Sequence, residues 1–444
     1  MDGAAAGAVW RPPPGKRGAY LLARLVESGG RRVRVRRLGG SRAGEVRLTR
    51  FLRNEAVSLE EMLAEAAART AERCRGRQVL AIQDTTVLRS TGGGGEYLHV
   101  VLAVDAEDGA ILGLIDGQFL TRSSGRRAER RAAGIEEKES FRWLEGADQA
   151  ASVCAGAAGV TVVADRESDI FEAFALRPEG SELLVRAAHD RSLDEGGALF
   201  AAVDAAPVAG RATLELPAKP GRRRRTATLE ARFLPVQLAR PKNGQRAGLP
   251  ASVALHLVDI RESDPPPGAA PVHWRLLTTQ PVTGLAEAWA VAELYRRRWA
   301  IEQLFRTLKT QGFDIEGLRI EETAPRNRLV TATLIAAVCI QQLVHARDGG
   351  TALRPLADAF EPQDTALLEA CCTTLEGKTA RQKNPHPKGS LAYAAWVCAR
   401  LGGWTGYYGK PGPIVMLEGW LEFQAMKRGV ALLTGQPQGS GGNV

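Results

Sequence analysis

The sequence predicts an α/β fold: a mixed sheet layered with helices, carrying a β-rich insertion and followed by a helical C-terminal part. Three observations predict it. Short apolar strands alternate with amphipathic helices between residues 55 and 189; turn-separated β pieces fill about 190–272; and from Leu285 onward the pattern is largely helical.

Residues 55–75 read as a helix, because Val57, Leu59, Met62, Leu63 and Ala66 recur at three- and four-residue intervals, with Ser58 as N-cap and Glu61 three residues on. Gln78–Gln83 is a short apolar strand that stops at Asp84. Stretches 98–104 and 111–120 are two further strands around a Glu107-Asp108-Gly109 turn, which implies a meander. A charged segment (121–139) leads into a helix around 136–150. The strand Val160–Ala164 then ends at Asp165, 168–176 is helical, and Glu182–Ala187 is another strand. Asp84 and Asp165 thus sit at strand ends, where α/β folds place chemistry.

The insertion holds β pieces at 212–216, 226–234 and 252–260, with the basic run Arg222–Arg225, and closes at Pro265-Pro266-Pro267-Gly268. Trp274–Thr279 returns to the sheet. Leu285–Lys309 reads as one long helix, and 326–434 is mostly helical around a Pro/Lys-rich loop at 378–389. The resulting division is 1–75, 76–189 as the first part of a core, 190–272 as insertion, 273–345 as the second part of the core, and 346–444.

At 444 residues the chain is long enough for about two to four domains, each with its own core. A hydrophobic share of 44% beside 25% charged residues is ordinary for a globular protein, and no apolar run of about 18 residues suggests a membrane span. The expected location is the cytoplasm. The six cysteines form no C-x-x-C pair, which argues against a zinc ribbon or a disulfide framework. The net charge of +9 is concentrated: residues 1–53 hold 13 Lys/Arg against 3 Asp/Glu, so the rest is close to neutral. Arg31, Arg32, Arg34, Arg36 and Arg37 suit phosphate neutralisation, and equally a solvated basic arm.

The Leu285–Lys309 segment carries the strongest chemical signal. Tyr295, Arg298, Glu302 and Lys309 lie at relative positions 0, 3, 7 and 14, within about 60° of one another around an ideal helix. Trp299, Ile301, Leu304, Phe305 and Leu308 anchor the same helix in a core, so the polar stripe faces a cleft rather than forming a surface ladder. Three carboxylates, Asp84, Asp165 and Glu302, without clustered Cys or His suit a hard cation, Mg²⁺ or Mn²⁺. Such ions serve phosphodiester transfer, while Tyr295, Arg298 and Lys309 can hold phosphates. The dispersed histidines give no support to a Ser-His or Cys-His nucleophile. Taken alone, Asp84 would equally serve as a turn residue. The Asp165 segment would likewise serve as a turn capped by Ser168 or Asp169.

The motif Tyr295-x-x-Arg298-x-x-x-Glu302-x-x-x-x-x-x-Lys309 stands downstream of Gln83-Asp84-Thr85-Thr86 and Asp165-Arg166-Glu167-Ser168-Asp169-Ile170. Together these resemble the DDE transposases of bacterial insertion sequences, specifically the insertion-sequence-four family with its Tyr-Arg-Glu-Lys signature. The resemblance runs from about Phe51-Leu-Arg-Asn54 to Arg400-Leu-Gly-Gly-Trp404 and Leu417-Glu-Gly-Trp420.

It implies a ribonuclease-H-like core and a cut-and-paste enzyme that hydrolyses DNA at transposon ends, forms a hairpin and joins target DNA. It assigns Asp84, Asp165 and Glu302 as catalytic metal ligands, and Tyr295, Arg298, Lys309 and Arg166 as DNA contacts. Trp274 matches the family's Trp that stacks on a flipped base; otherwise it is a core-filling aromatic at a strand start. The partners implied are transposon-end DNA, target DNA and a second copy paired through 346–444, with no membrane. Two departures stand out. Ser168 replaces a usual Ala, and 1–50 is Arg/Gly/Pro-rich with poor helical periodicity where the family has an end-binding helical domain. Reading from a shifted frame in a GC-rich gene would account for the latter. The competing readings are a metal-dependent nuclease of the same fold and a defective DNA-binding copy.

Overall fold

The computed structural model describes residues 42–91, 94–122, 135–217, 223–241, 248–350 and 353–433. The Arg31–Arg37 cluster, most of the charged segment 121–139 and Arg222 lie outside these. The elements along the described chain are α1 (Arg42–Arg53), α2 (Leu59–Cys74), β1 (Gln78–Thr91), β2 (Gly94–Asp105) and β3 (Ile111–Arg122). Next come α3 (Arg142–Val153), β4 (Gly159–Ala164), α4 (Phe171–Ala175), β5 (Ser181–Arg186) and α5 (Leu199–Ala205). Strands β6 (Gly210–Leu216), β7 (Arg225–Ala239), β8 (Ser252–Glu262) and β9 (His273–Thr278) follow. The helices α6 (Leu285–Arg296), α7 (Trp299–Leu308), α8 (Thr323–Ala346), α9 (Asp364–Leu375), α10 (Leu391–Leu401) and α11 (Pro413–Leu433) complete the order.

The chain divides into two compact units. Of the described residues, one unit contains those in 74–106 and 120–301, and the other those up to 73, 107–119 and those from 302.

In the first unit eight strands run in the order β2-β1-β4-β5-β9-β8-β7-β6. The β1–β4 and β4–β5 pairs are parallel and the remaining pairs antiparallel. The sequence explains the centre. Val79–Ile82, Val162–Ala164 and Leu183–Val185 are apolar on successive residues and nearly inaccessible to solvent, as parallel strands covered on both faces require. The β pieces of the insertion do not form a sheet of their own: β8 pairs with β9, so they extend the same sheet. Alternation in β7, with Ala227, Leu229 and Ala231 buried between exposed or half-buried neighbours, marks the half-covered end.

In the second unit α8 is the central helix, with Leu329, Ala336, Ala337, Ile340 and Leu343 wholly buried. Its Arg328 donates to the carbonyls of Leu52 and Val57 and so ties down the ends of α1 and the loop after it. Gln342 donates to the carbonyls of Ile111 and Leu112 on β3.

Several sequence expectations need correction. β1 does not stop at Asp84 but continues to Thr91, because the β-branched Thr85, Thr86 and Val87 keep pairing with β2. The stretch 42–50, expected to be poorly helical, belongs to α1, which buries Leu48 and Leu52. By length and composition α8, with 24 residues, is apolar enough to cross a membrane, but 78% of its apolar window is buried inside the fold, as in a core helix. Finally, Leu285–Lys309 is two helices. The Arg298, Ala300 and Ile301 amides donate to carbonyls three residues back, so a tight turn at Arg297–Arg298 separates α6 from α7. The single continuous stripe through Tyr295, Arg298, Glu302 and Lys309 is therefore interrupted, and Arg298 lies between helices rather than on one.

Candidate active site

Parallel pairing of β1 with β4 sets Ile82 beside Val163. Asp84 and Asp165 each lie two residues further along, so the two acids stand at the same level of neighbouring strands, which run about 4.8 Å apart. Asp84 is within β1. One of its oxygens, Oδ1, accepts the Thr85 amide at 2.8 Å, and Oδ2 receives Arg298 Nη1 at 2.9 Å. Both side chains of that pair are largely buried. Asp165 ends β4 and caps a short 3-10 turn, Arg166–Ser168, its Oδ1 accepting the Glu167 amide at 2.9 Å. Its Oδ2 has no hydrogen-bond partner among the described residues.

Arg298 also lies 5.7 Å from the Tyr295 ring centre, and Tyr295 stands 6.2 Å from the ring of Trp274 on β9. Tyr295 is only 3% exposed. Burial pushes its phenol above the usual range against the opposing pull of Arg298 and Arg186, with Asp165 adding to the rise, so the hydroxyl stays protonated at neutral pH. Arg186, at the end of β5, donates to the His273 carbonyl at 2.8 Å. Thus Asp84, Asp165, Trp274, Tyr295 and Arg298 share the first unit, with Arg166 exposed on the Asp165 turn.

Glu302 and Lys309 fall in the second unit. Glu302 is half-buried on α7, which is anchored by the buried Ile301, Leu304 and Leu308. Lys309 follows the end of α7 and pairs with Glu316 at 2.8 Å. Within the described residues of each unit, no three His, Cys, Asp or Glu side chains are gathered to hold an ion.

A family model described as transposase DDE domain matches residues 77–339, more than half of the chain. The chain belongs to that family.

A DDE domain is ribonuclease-H-like, in keeping with the mixed sheet and its adjacent parallel strands β1, β4 and β5. The transposase carries supporting residues that sequence reasoning missed. Asp169, with no side-chain exposure, accepts the Ala188 and His189 amides and pairs with Arg191 at 2.8 Å, pinning the far end of the Asp165 turn to the segment after β5. Asp169 is thus a buried anchor and not the cap that the alternative reading of this turn allowed.

On the face of β1 opposite Asp84, Gln83 and Thr85 both hydrogen-bond His99 of β2. Arg142, 4% exposed at the start of α3, reaches Thr85 and Glu167. A run of Arg142-Trp143-Leu144 opening an amphipathic helix offered no signal that its charge turns inward.

Proposed function

We propose that the transposase is a cut-and-paste enzyme of the insertion-sequence-four type that cleaves phosphodiester bonds at transposon ends and joins the freed 3′-hydroxyl to target DNA. The supporting observation is that Asp84 and Asp165 stand at one level of the neighbouring parallel strands β1 and β4, with Arg298 and Tyr295 in the same unit. Glu302 is proposed as the third carboxylate on the resemblance of its motif.

The donor chemistry fits Mg²⁺ or Mn²⁺. The two acids offer oxygen ligands only, Arg298 already meets one Asp84 oxygen with positive charge, and Asp165 retains an oxygen without a partner among the described residues. When bound, such ions supply Lewis acidity at the attacking and leaving oxygens of phosphodiester transfer. The residues of the chain do the rest. Arg298 can grip a phosphate through a bidentate fork, and the protonated Tyr295 hydroxyl can donate to a phosphate oxygen. Lys309 and the exposed Arg166 add charge for the DNA backbone. Trp274, half-buried beside Tyr295, is proposed to stack on an extruded base during hairpin formation, at about 1–3 kcal/mol. The helices of 346–444 are proposed to pair two subunits so that both ends are held together.

Cleavage assays on the inverted repeats flanking the gene test this. Asp84→Ala, Asp165→Ala and Glu302→Ala should each abolish cleavage in Mg²⁺ while gel-shift binding persists; a fully active single variant refutes the metal assignment. Trp274→Ala should nick normally but accumulate less hairpin, and an unchanged hairpin yield removes its role. Strand transfer from pre-cleaved ends separates a transposase from a nuclease that cuts without joining.

A further inference from the structure

The polar residues behind Asp84 form one directed chain of hydrogen bonds. Gln83 Nε2 donates to the carbonyl of Trp143 at 3.3 Å, which turns its Oε1 toward His99. His99 Nε2, 3.1 Å from that oxygen, must then be the donor. Burial, reinforced by Arg142, pulls the His99 pKa down to about 3, so the ring is neutral and Nδ1 is an acceptor. Thr85 Oγ1, at 2.9 Å, gives it the hydroxyl proton. The remaining lone pairs of Thr85 accept from Arg142 Nε at 3.2 Å.

At its other end the Arg142 guanidinium donates to Glu167 Oε2 at 2.8 Å and to the Glu139 carbonyl at 2.7 Å. Thr85 directly follows Asp84, and Glu167 is the residue whose amide holds Asp165 Oδ1. One buried guanidinium therefore spans from the strand bearing the first acid to the turn bearing the second. The edge-to-face contact of Trp143 with His99, ring centres 4.7 Å apart, and the approach of Arg142 to Trp143 at 5.0 Å leave it little freedom.

We infer that Arg142 is a positioning residue: by holding Thr85 and Glu167 at once, it fixes Asp84 and Asp165 at the separation that a divalent cation requires. This rests on the proposed reading of those acids as metal ligands. A residue of this kind tunes metal affinity more than the rate once metal is bound, and loss of such support typically weakens metal binding by about 10–100-fold. A Lys at 142 keeps the charge but, as a point donor, cannot hold both partners.

The test is Mn²⁺ binding to full-length protein without DNA, read from the free-Mn²⁺ paramagnetic resonance signal, together with end cleavage against Mn²⁺ concentration. The variants are Arg142→Gln, Arg142→Lys, Glu167→Gln and Asp84→Asn. Arg142→Gln and Arg142→Lys should raise the half-saturating Mn²⁺ by about tenfold while cleavage at saturating Mn²⁺ stays within a few-fold of wild type. Glu167→Gln, a change at a half-exposed side chain that spares folding, should shift it in the same direction. Combining it with Arg142→Gln should add little, as expected for two ends of one link. Half-saturation within twofold of wild type in both Arg142→Gln and Glu167→Gln overturns the inference. If Asp84→Asn abolishes Mn²⁺ binding while Arg142→Gln leaves it unchanged, the inference alone fails. If Asp84→Asn leaves binding intact, the metal reading fails and the inference with it.

Discussion

Lowering the pH from 7 to 5 should loosen the β1–β2 pair through His99. The ring is wholly buried, and its pKa is depressed to about 3 by burial and by Arg142, against an ordinary 6.5. Because the folded value lies below that of the unfolded chain, the unfolded state takes up the proton first. The stability contributed by neutral His99 is complete above pH 6.5 and is lost as pH falls toward 3. Between pH 7 and 5 linkage gives a loss of about 2 kcal/mol from this one group.

Peptides from residues 78–105, followed by hydrogen exchange and corrected for intrinsic exchange rates, read the local opening free energy. Wild type should lose about 2 kcal/mol over that interval, and His99→Gln should lose much less, even though it is less stable at pH 7. Equal pH dependence in the two proteins would rule out His99 as the source of the loss, and with it the direction of the hydrogen bonds around Thr85.

Other consequences follow from single contacts. Asp169→Asn leaves the buried Arg191 without its anion and should destabilise the Asp165 turn by roughly 3 kcal/mol, seen as faster hydrogen exchange over 165–170; unchanged exchange contradicts the anchor. Gly146 of α3 faces Gln83, and a Cβ there would come within 2.6 Å of the Oε1 that accepts from His99. Gly146→Ala should therefore lower stability by about 1 kcal/mol despite the better helix former, and a raised melting temperature contradicts this. Gly419 of α11 lets that helix cross α10 closely: an added Cβ would sit 1.6 Å from the Cys398 carbonyl. Gly419→Ala should cost roughly 3 kcal/mol by forcing the helices apart, measurable as earlier thermal unfolding of the second unit, and a neutral result refutes the close crossing.

Much of the framework was legible in the sequence because its signals are local. Val160–Ala164, Glu182–Ala187 and Trp274–Thr279 were apolar runs of strand length, and each lies on a strand within about a residue of its expected limits. Asp84 and Asp165 stood out because an acid at the end of an apolar run is conspicuous. Their shared level was not legible, since it depends on the β1–β4 register. The break between α6 and α7 carries no Gly or Pro; it arises where the Arg298 guanidinium is drawn to Asp84, a contact 214 residues away in sequence. Arg142 was invisible for the same reason, its partners Thr85 and Glu167 lying 57 and 25 residues away. Buried charge looks like surface charge until the packing is known. The basic N-terminal cluster, prominent in the sequence, lies outside the described residues.

Whether Asp84, Asp165 and Glu302 hold the catalytic cation, as proposed, can be read from iron-directed cleavage of the protein chain. Fe²⁺ exchanged for Mg²⁺ generates radicals with ascorbate and peroxide that cut the backbone beside its ligands. Fragments should end near residues 84, 165 and 302, be suppressed by excess Mg²⁺ and be lost in Asp84→Ala and Asp165→Ala. Cuts elsewhere, or the same cuts in both variants, would contradict that assignment.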